Sequence, residues 1–408
     1  LRRNDVVVLA WLTLLPLAGY FLLPKVGVTV LYNARLLPYW YFGMYVFAGL
    51  ALGLAVLEVS RRVPLRQSVR IGLSLMTGLV VLIATGLSIH DIPGWVKWNF
   101  EGYEGKADYA QYRTLMETVD TLPPGRVMWE ANSEMNKYGT PMALMLFPYW
   151  SEGHPSMEGL FFESSLTTPF HFLNASEVSE RPSNPVRGLD YRGFNMERGV
   201  EHLAVYNVAY YVSYTEAGAE AARAAGLAEV GTALPWRIFA LPPSSLVDVA
   251  TSVPAVWAGG GDFLDPALEW YDDVDNMDKW LVEDGPTDWI RVETVDERLV
   301  VVEDVAGSGV VSDVVNDDHR ISFTTSAVGI PHLVKVSYFP NWTAEGAEGP
   351  YRAAPSLMVV VPTNEQVVLE FKNTYAENIG MAITLVAIVG LGIYGYRRYR
   401  RRAVENAA

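Results

Sequence analysis

The sequence predicts a membrane α-helical plus α+β protein: four transmembrane helices, a small α/β extracytoplasmic subdomain and a C-terminal antiparallel β-sandwich-like module. Three observations favour this class. Four uncharged apolar runs approach the roughly 20 residues that cross a bilayer. Residues 91–378 are strongly acidic, whereas the remainder is basic. Residues 266–375 contain short alternating runs separated by turn residues, which is typical of antiparallel strands.

The apolar runs and their flanking charges predict an orientation. The runs lie near residues 6–24, 39–57, 71–89 and 379–396. Arginines precede the first run, join the second to the third and follow the fourth, so all three basic clusters share one side. We therefore predict a multi-pass plasma-membrane protein with the lipid bilayer as a partner, both termini cytoplasmic and residues 91–378 extracytoplasmic. The predicted domains are residues 1–90 (three spans), 91–251 (α/β), 252–378 (sandwich-like) and 379–408 (last span and basic tail).

Composition excludes several classes of protein. The 408 residues carry a net charge of −15 and no cysteine, which excludes disulfide scaffolds, cysteine metal sites and thiol nucleophiles. Residues 91–378 hold 43 acidic against 18 basic residues, and this acidic body argues against nucleic-acid binding. Because the chain begins with Leu1, we expect a fragment or processed piece of a longer protein.

Periodicity organises the predicted outside part. Residues 107–121 have helical spacing of apolar side chains and end at a Pro-Pro-Gly sequence. Strands are predicted at Arg126–Ala131, Asn207–Tyr214 and Trp236–Leu241, with an alanine-rich helix at 216–227, which together indicate an α/β subdomain. The Pro- and Gly-rich stretch 252–265 predicts a boundary.

Beyond that boundary, alternation predicts the sandwich-like module. Val334, Val336 and Tyr338 alternate with Lys335 and Ser337, which predicts one apolar and one polar face. A second run of the same kind covers residues 367–372.

One tract, residues 142–191, holds most of the candidate site residues. Aromatic rings stack on the C–H faces of sugars and carboxylates accept hydroxyl hydrogen bonds, so we predict a glycan-binding site. Its candidate residues are Tyr149, Trp150, His154, Glu158, Glu163 and His171. The alternative is a folded loop whose aromatic side chains belong to the core. Glu158 and Glu163 also suggest a hydrolase acid/base pair, although their spacing is not specific.

No motif of established chemistry is present. The six histidines form no HExxH pair, the Gly259–Gly261 run lacks a phosphate-loop context, and no GxSxG elbow occurs. The acidic run at 272–278 fails the calcium-loop pattern. We therefore predict no metal site, no cofactor and no catalytic residue. Two sequons begin at Asn174 and Asn341.

The C-terminal module carries a family likeness. Within Leu333–Lys372, Tyr338, Phe339, Pro340 and Trp342 match a motif near the end of YfhO-type bacterial membrane proteins, with Asn341 in place of the usual glycine. Residues 157–191 and 202–214 resemble membrane proteins labelled 6-pyruvoyl-tetrahydropterin-synthase-related. Both groups resemble the GT-C superfamily, polytopic enzymes that use polyprenyl-phosphate sugars.

The resemblance implies a function without supplying catalytic residues. GT-C enzymes place a catalytic acid in an early extracytoplasmic loop, and the corresponding loop here, residues 25–38, has no Asp or Glu. We expect the C-terminal portion of a GT-C-like envelope glycosyltransferase, whose outside domain binds an envelope glycan or a polyprenyl-phosphate sugar. The alternative is a non-catalytic, membrane-anchored binding or assembly module.

Overall fold

The computed structural model describes residues 3–26, 33–62, 66–89, 91–159, 166–186, 188–295 and 309–405. The chain divides into two compact units, Leu1–Lys97 and Trp98–Ala408.

The predicted presence of four helices able to span a membrane is confirmed. The apolar helices are long enough and hydrophobic enough over Val6–Val26, Asn33–Val59, Gln67–Ser88 and Tyr375–Arg400. They belong to α1 (Arg3–Leu22), α2 (Leu37–Arg62), α3 (Gln67–Ser88) and α11 (Tyr375–Glu405), with 3₁₀ turns at Leu23–Val26 and Asn33–Leu36. Most of their described side chains are exposed.

Helices α1 and α2 approach closely at one point. A Cβ added to Gly43 would lie 1.9 Å from the Thr13 hydroxyl oxygen, so only glycine fits there. Thr13 is itself buried and satisfies its hydroxyl on the Leu9 carbonyl at 2.8 Å. A small residue therefore sets the contact between the two helices, a common device in membrane helix pairs.

The second unit begins with a mixed four-stranded sheet. Its order is β1-β2-β4-β3, with β1 and β2 parallel and the other pairs antiparallel. The elements are α4 (Asp91–Phe100, which crosses the division between the units), α5 (Tyr109–Val119), β1 (Arg126–Trp129), 3₁₀ helices Ser133–Tyr138 and Ala143–Leu146, α6 (Phe147–Trp150), α7 (Thr168–Glu177), α8 (Met196–Val205), β2 (Val208–Ser213), α9 (Glu216–Ala224), β3 (Ala228–Ala233) and β4 (Trp236–Ala240).

Two further sheets form the C-terminal part. A seven-stranded sheet has the order β5-β11-β14-β13-β7-β6-β8, and an antiparallel four-stranded sheet has the order β12-β15-β10-β9. The elements are β5 (Val247–Val249), β6 (Ala255–Trp257), α10 (Leu264–Asp272), a 3₁₀ turn Val274–Asn276, β7 (Leu281–Val282), β8 (Arg291–Val292), β9 (Val311–Asp317), β10 (Arg320–Thr325), β11 (His332–Val334), β12 (Trp342–Glu345), β13 (Ala347–Ala353), β14 (Leu357–Pro362) and β15 (Gln366–Phe371).

Among the described residues, three apolar cores fill the space between these layers. The first sheet packs Val127 and Trp129 against α5 on one face and Met128 against α7 and α8 on the other. The seven-stranded sheet sends Val359 into that same helical core and Val360 into the core shared with the four-stranded sheet. The helical core thus contains residues from both sides of the predicted boundary at residues 251 and 252. The division into separate modules there stays a prediction.

The prediction that Lys335 lies on a polar, solvent-facing side of a strand is wrong. β11 ends at Val334, and Lys335 is only 5% exposed. The seven-stranded sheet is covered on both faces, so position 335 has no solvated side. The Lys335 ammonium instead lies 2.8 Å from the Asp248 carboxylate and donates to the Ala204 carbonyl at 3.2 Å.

A buried carboxylate fixes the start of α9. Glu130 is fully buried at the end of β1 and accepts hydrogen bonds from the Tyr214 and Thr215 amides at 2.7 and 2.8 Å. The Thr215 hydroxyl caps the helix by accepting from the Gly218 amide at 3.0 Å. An anion at a helix N-terminus is stabilised by the helix dipole, so Glu130 joins sheet and helix.

We predict that Gly218→Ala destabilises the protein, although alanine normally favours helices. The new Cβ would lie 2.4 Å from a Glu130 carboxylate oxygen. Overpacking of this kind costs about 1–3 kcal/mol, which thermal unfolding of the full chain in detergent would measure. The control Glu220→Ala, at an exposed position of α9, should be close to neutral. An unchanged or raised Tm for Gly218→Ala would contradict the described packing.

Acid should destabilise the protein through His332. The ring is fully buried, and its two nitrogens face the Ile330 carbonyl and the Thr325 hydroxyl at 2.8 and 2.7 Å. Burial lowers the pKa of His332, against the opposing effect of the Ile330 hydrogen bond. The unfolded chain therefore takes up the proton first, and stability is lost as the pH falls below about 6.5, the ordinary histidine value, down to the folded-state pKa.

The measurement is the Tm of the full chain between about pH 7.5 and about pH 5.5, bracketing the ordinary histidine value. We expect His332→Gln to reduce the fall in Tm over this interval, because its side chain does not titrate there. The exposed His319 gives a matched control, and His319→Gln should leave the fall unchanged. Equal falls in the wild type and His332→Gln would refute the assignment.

Candidate functional site

A partly apolar cleft near the predicted tract lies at the carboxyl end of β1. It encloses about 420 Å³. Its wall is built from the end of β1, the loop that follows it, the first turns after residue 139, and α7. The lining residues are Trp129, Ala131, Asn132, Ser133, Thr140, Pro141, Met142, Met145, Glu158, Phe172, Ala175, Arg181, Pro182 and Ser183. Ligands of sheets with parallel strands commonly bind outside the carboxyl ends of those strands.

Glu158 reaches this cleft because the segment before it runs alongside β1. The Val127 amide donates to the Pro155 carbonyl at 2.8 Å, and the Met157 amide donates to the Val127 carbonyl at 2.9 Å. The segment is parallel to β1, with Ser156 bridged to Val127. Its next residue, Glu158, therefore arrives at the same sheet edge as the residues that follow β1.

Glu158 and His171 form a buried pair. A Glu158 carboxylate oxygen lies 2.9 Å from Nε2 of His171, and the two side chains are 8% and 5% exposed. α7 supplies His171, whereas Phe172 from the next position lines the cleft. A carboxylate supported in this way can accept a hydrogen bond from a ligand hydroxyl or amine.

Tyr149 and Trp150 lie elsewhere and do not line this cleft. Tyr149 is 76% exposed, and its ring meets Trp150 edge-on at 4.9 Å between centroids. Trp150 packs against Tyr109 and Tyr112 at 6.2 and 6.3 Å. The structure thus places Trp150 at the edge of the α5 core, as the loop alternative in the sequence analysis describes.

His154 fastens a loop. The ring is 2% exposed, with Nδ1 2.9 Å from the Glu152 carbonyl and Nε2 3.1 Å from the Pro123 carbonyl. Both nitrogens face backbone acceptors, and Nδ1 also lies 3.1 Å from the Ser151 hydroxyl. Both ring nitrogens of His154 are therefore occupied by contacts within the protein. The remaining predicted residue, Glu163, lies outside the described residues.

Sequence reasoning missed the polar residues of the cleft other than Glu158. Asn132 and Ser133 directly follow β1, a position that itself signals a sheet-edge site. Arg181 follows α7, a helix that was not predicted, so no pattern pointed to it. Asn132 already accepts from the Glu134 amide at 2.9 Å, which leaves its NH₂ group for a ligand.

A cavity of about 270 Å³ lies beside a charged network between α7, α8 and α10. Glu177 pairs with Arg198 and His202 at 2.8 and 2.6 Å, and Asp272 pairs with Arg198 at 3.0 Å and with Arg192. Burial and this pairing have opposite effects on Asp272, and its pKa is lowered overall. These charges neutralise one another, which indicates a structural role.

Both sequons are buried in the folded protein. Asn174 is fully buried and donates to the Gly199 carbonyl at 3.0 Å. Asn341 is 4% exposed and donates to the Lys372 carbonyl and a Glu377 carboxylate oxygen at 2.8 and 2.7 Å. Neither amide is available to carry a glycan in this structure. Asn341 instead ties the turn before β12 to the first turn of α11.

Within the described ranges, no three histidine, aspartate or glutamate side chains are grouped so as to hold a metal ion. The acidic run near 272–278 forms a turn in which a carboxylate oxygen of Asp273 accepts from the Asp275 amide at 3.0 Å. Comparison of the chain with protein-family models, with curated proteins and with solved structures gives no match.

We predict strong coupling between Glu158 and His171 in stability. Removing one member of a buried pair costs about 3–5 kcal/mol, because the other charge or dipole stays buried. Glu158→Ala and His171→Ala should each lower the free energy of unfolding, and the double variant should cost less than the two losses added, by at least about 1 kcal/mol. Glu152→Ala, at an exposed position, is the control. Additive losses in urea unfolding would argue against the pair.

Proposed function

We propose that this chain supplies a membrane-anchored binding domain, which holds a glycan or lipid-linked sugar for a GT-C-like membrane glycosyltransferase. The observation that carries the proposal is the cleft of about 420 Å³ at the carboxyl end of β1, with Glu158 in its wall. Its volume falls within the range of about 300–1,000 Å³ that is usual for small-molecule sites.

The lining chemistry favours a sugar. Trp129, Phe172 and Met145 give an apolar wall, which suits the C–H faces of a pyranose ring. Glu158 provides a buried acceptor, and Asn132 has an amide NH₂ group for a ring hydroxyl. This division into one apolar wall and a few polar groups is typical of sites that orient a small polar ligand.

The charge of the domain selects among sugars. Residues 91–378 carry 43 acidic against 18 basic residues, so a polyanionic glycan would be repelled. A neutral or amine-bearing sugar would enter without this cost. Glu158 could accept a hydrogen bond from either kind.

The proposal assigns binding rather than bond formation to this chain. The loop of residues 25–38 has no Asp or Glu, and this sequence feature equally favours the second candidate, a non-catalytic membrane-anchored binding or assembly module. Both candidates require the cleft to bind its ligand. They differ in whether the chain is joined to a transferase, so sugar transfer by native membranes that contain the chain separates them.

We expect neutral and amine-bearing sugars to shift the methyl resonances of Met142 and Met145, which line the cleft. The full chain, labelled with ¹³C-methyl methionine in detergent, would be titrated with N-acetylglucosamine, glucosamine and a mannose disaccharide. Met116, buried in the α5 core, and Met381, in α11, serve as internal references.

Glu158→Gln should weaken binding about tenfold, because it replaces a charged hydrogen-bond acceptor with a neutral one. Met142→Trp should weaken binding by filling the cleft. Tyr149→Ala should leave the affinity unchanged, because Tyr149 is exposed and outside the cleft. Shifts confined to the reference methionines, or an equal loss in Tyr149→Ala, would exclude the cleft as the binding site.

A further inference from the structure

A second, smaller cavity is lined by His171, the partner of Glu158. It encloses about 190 Å³ at the amino end of β1, whereas the cleft lies at the carboxyl end. Its wall includes Arg126, Ser156, Thr167, His171 and Ser337. Glu158 lines the first cavity and His171 lines the second, so the pair stands in the partition between them.

Arg126 has an unusual environment for a guanidinium. It is partly buried, and its Nη1 donates to the Tyr206 and Lys335 carbonyls. Across the residues that the structure describes, no carboxylate oxygen lies within 4.0 Å of the guanidinium nitrogens. Burial lowers the pKa of Arg126 to about 10, because removal from water disfavours the charged form.

Three other buried or partly buried cations among the described residues of this unit are paired with carboxylates. Lys335, in the same wall, lies 2.8 Å from the Asp248 carboxylate. Lys106 lies 2.9 Å from Glu101. Arg198 reaches both Glu177 and Asp272. A guanidinium has five N–H donors, and the two carbonyls beside Arg126 leave donors for a further acceptor.

The cavity offers hydroxyl groups beside this cation. The Thr167 and Ser337 hydroxyl oxygens lie 3.3 Å apart across its wall. A planar guanidinium binds the paired oxygens of a carboxylate or phosphate, and the exposed Ser337 side chain in the same wall has a hydroxyl that can donate to a further oxygen. A small oxyanion would therefore supply a further acceptor for the Arg126 guanidinium.

We propose that the cavity at the amino end of β1 binds a phosphate or carboxylate group, held by Arg126. The site is distinct from the glycan cleft and does not rest on the function proposed above. A single oxyanion also fits the charge of the domain, because one local cation attracts one anionic group while the acidic surroundings exclude polyanions.

The test is the effect of inorganic phosphate on the Tm of the full chain in detergent, with potassium chloride added to hold ionic strength constant. Binding to the folded state should raise the Tm by roughly 5 °C at phosphate a hundredfold above its Kd. Arg126→Gln should remove this rise. Titrations with acetate and with glucose 1-phosphate would separate carboxylate from phosphate, and a free anion from one carried by a sugar.

A second variant protects the test against a folding defect in Arg126→Gln. Ser337→Glu places a carboxylate in the wall at an exposed position, where it should pair with Arg126. We expect a raised Tm without phosphate and no further rise with phosphate. Gln366→Glu adds the same charge at an exposed position of β15 and should keep the phosphate response.

Two results would overturn the proposal. One is a Tm of the wild type that does not respond to phosphate, acetate or glucose 1-phosphate. The other is a response that survives in Ser337→Glu. Neither result bears on the methionine methyl shifts produced by neutral sugars, so failure of this site and failure of the glycan cleft are distinguishable.

Discussion

The buried carboxylate of Glu177 holds together the helices on which both cavities depend. Glu177, near the end of α7, binds Arg198 and His202 of α8, and the other nitrogen of His202 faces the Tyr271 carbonyl of α10 at 2.9 Å. The two ring nitrogens of His202 therefore contact groups from two other helices. Because the position of α7 sets the position of His171, the network determines the partition between the two cavities.

The layered arrangement explains how an acidic domain buries so many polar groups. Helix α7 is buried continuously from Phe170 to Glu177, so the polar side chains on this stretch must find partners inside the protein. Glu130 accepts from backbone amides, Glu177 pairs with Arg198 and His202, and Lys335 pairs with Asp248. Each arrangement joins elements that are distant in sequence, which favours one packing of the layers over others.

Local sequence patterns identified the elements whose environment is simple. The long helices contain uncharged apolar runs, and β1, β2 and β4 are strongly apolar, so composition and periodicity predicted them. Helices α7 and α8 were not predicted, because polar residues such as His202 and Glu177 lie on their buried faces. These residues find their partners only through tertiary contacts, which the sequence does not show. β3, which carries mostly exposed residues and a glycine, lacks the alternation that marks a half-buried strand.

The candidate site was harder to predict for the same reason. The aromatic and acidic tract did contain Glu158 and His171, but composition could not separate them from His154, whose ring nitrogens contact backbone carbonyls.

The contact between Asn341 and Glu377 has a mechanical consequence. Only residues 372–374 separate β15 from α11, and the hydrogen bond joins the turn before β12 to the first turn of α11, so the four-stranded sheet is attached to this helix at two points. A change in the direction of this helix would therefore act on the four-stranded sheet as well.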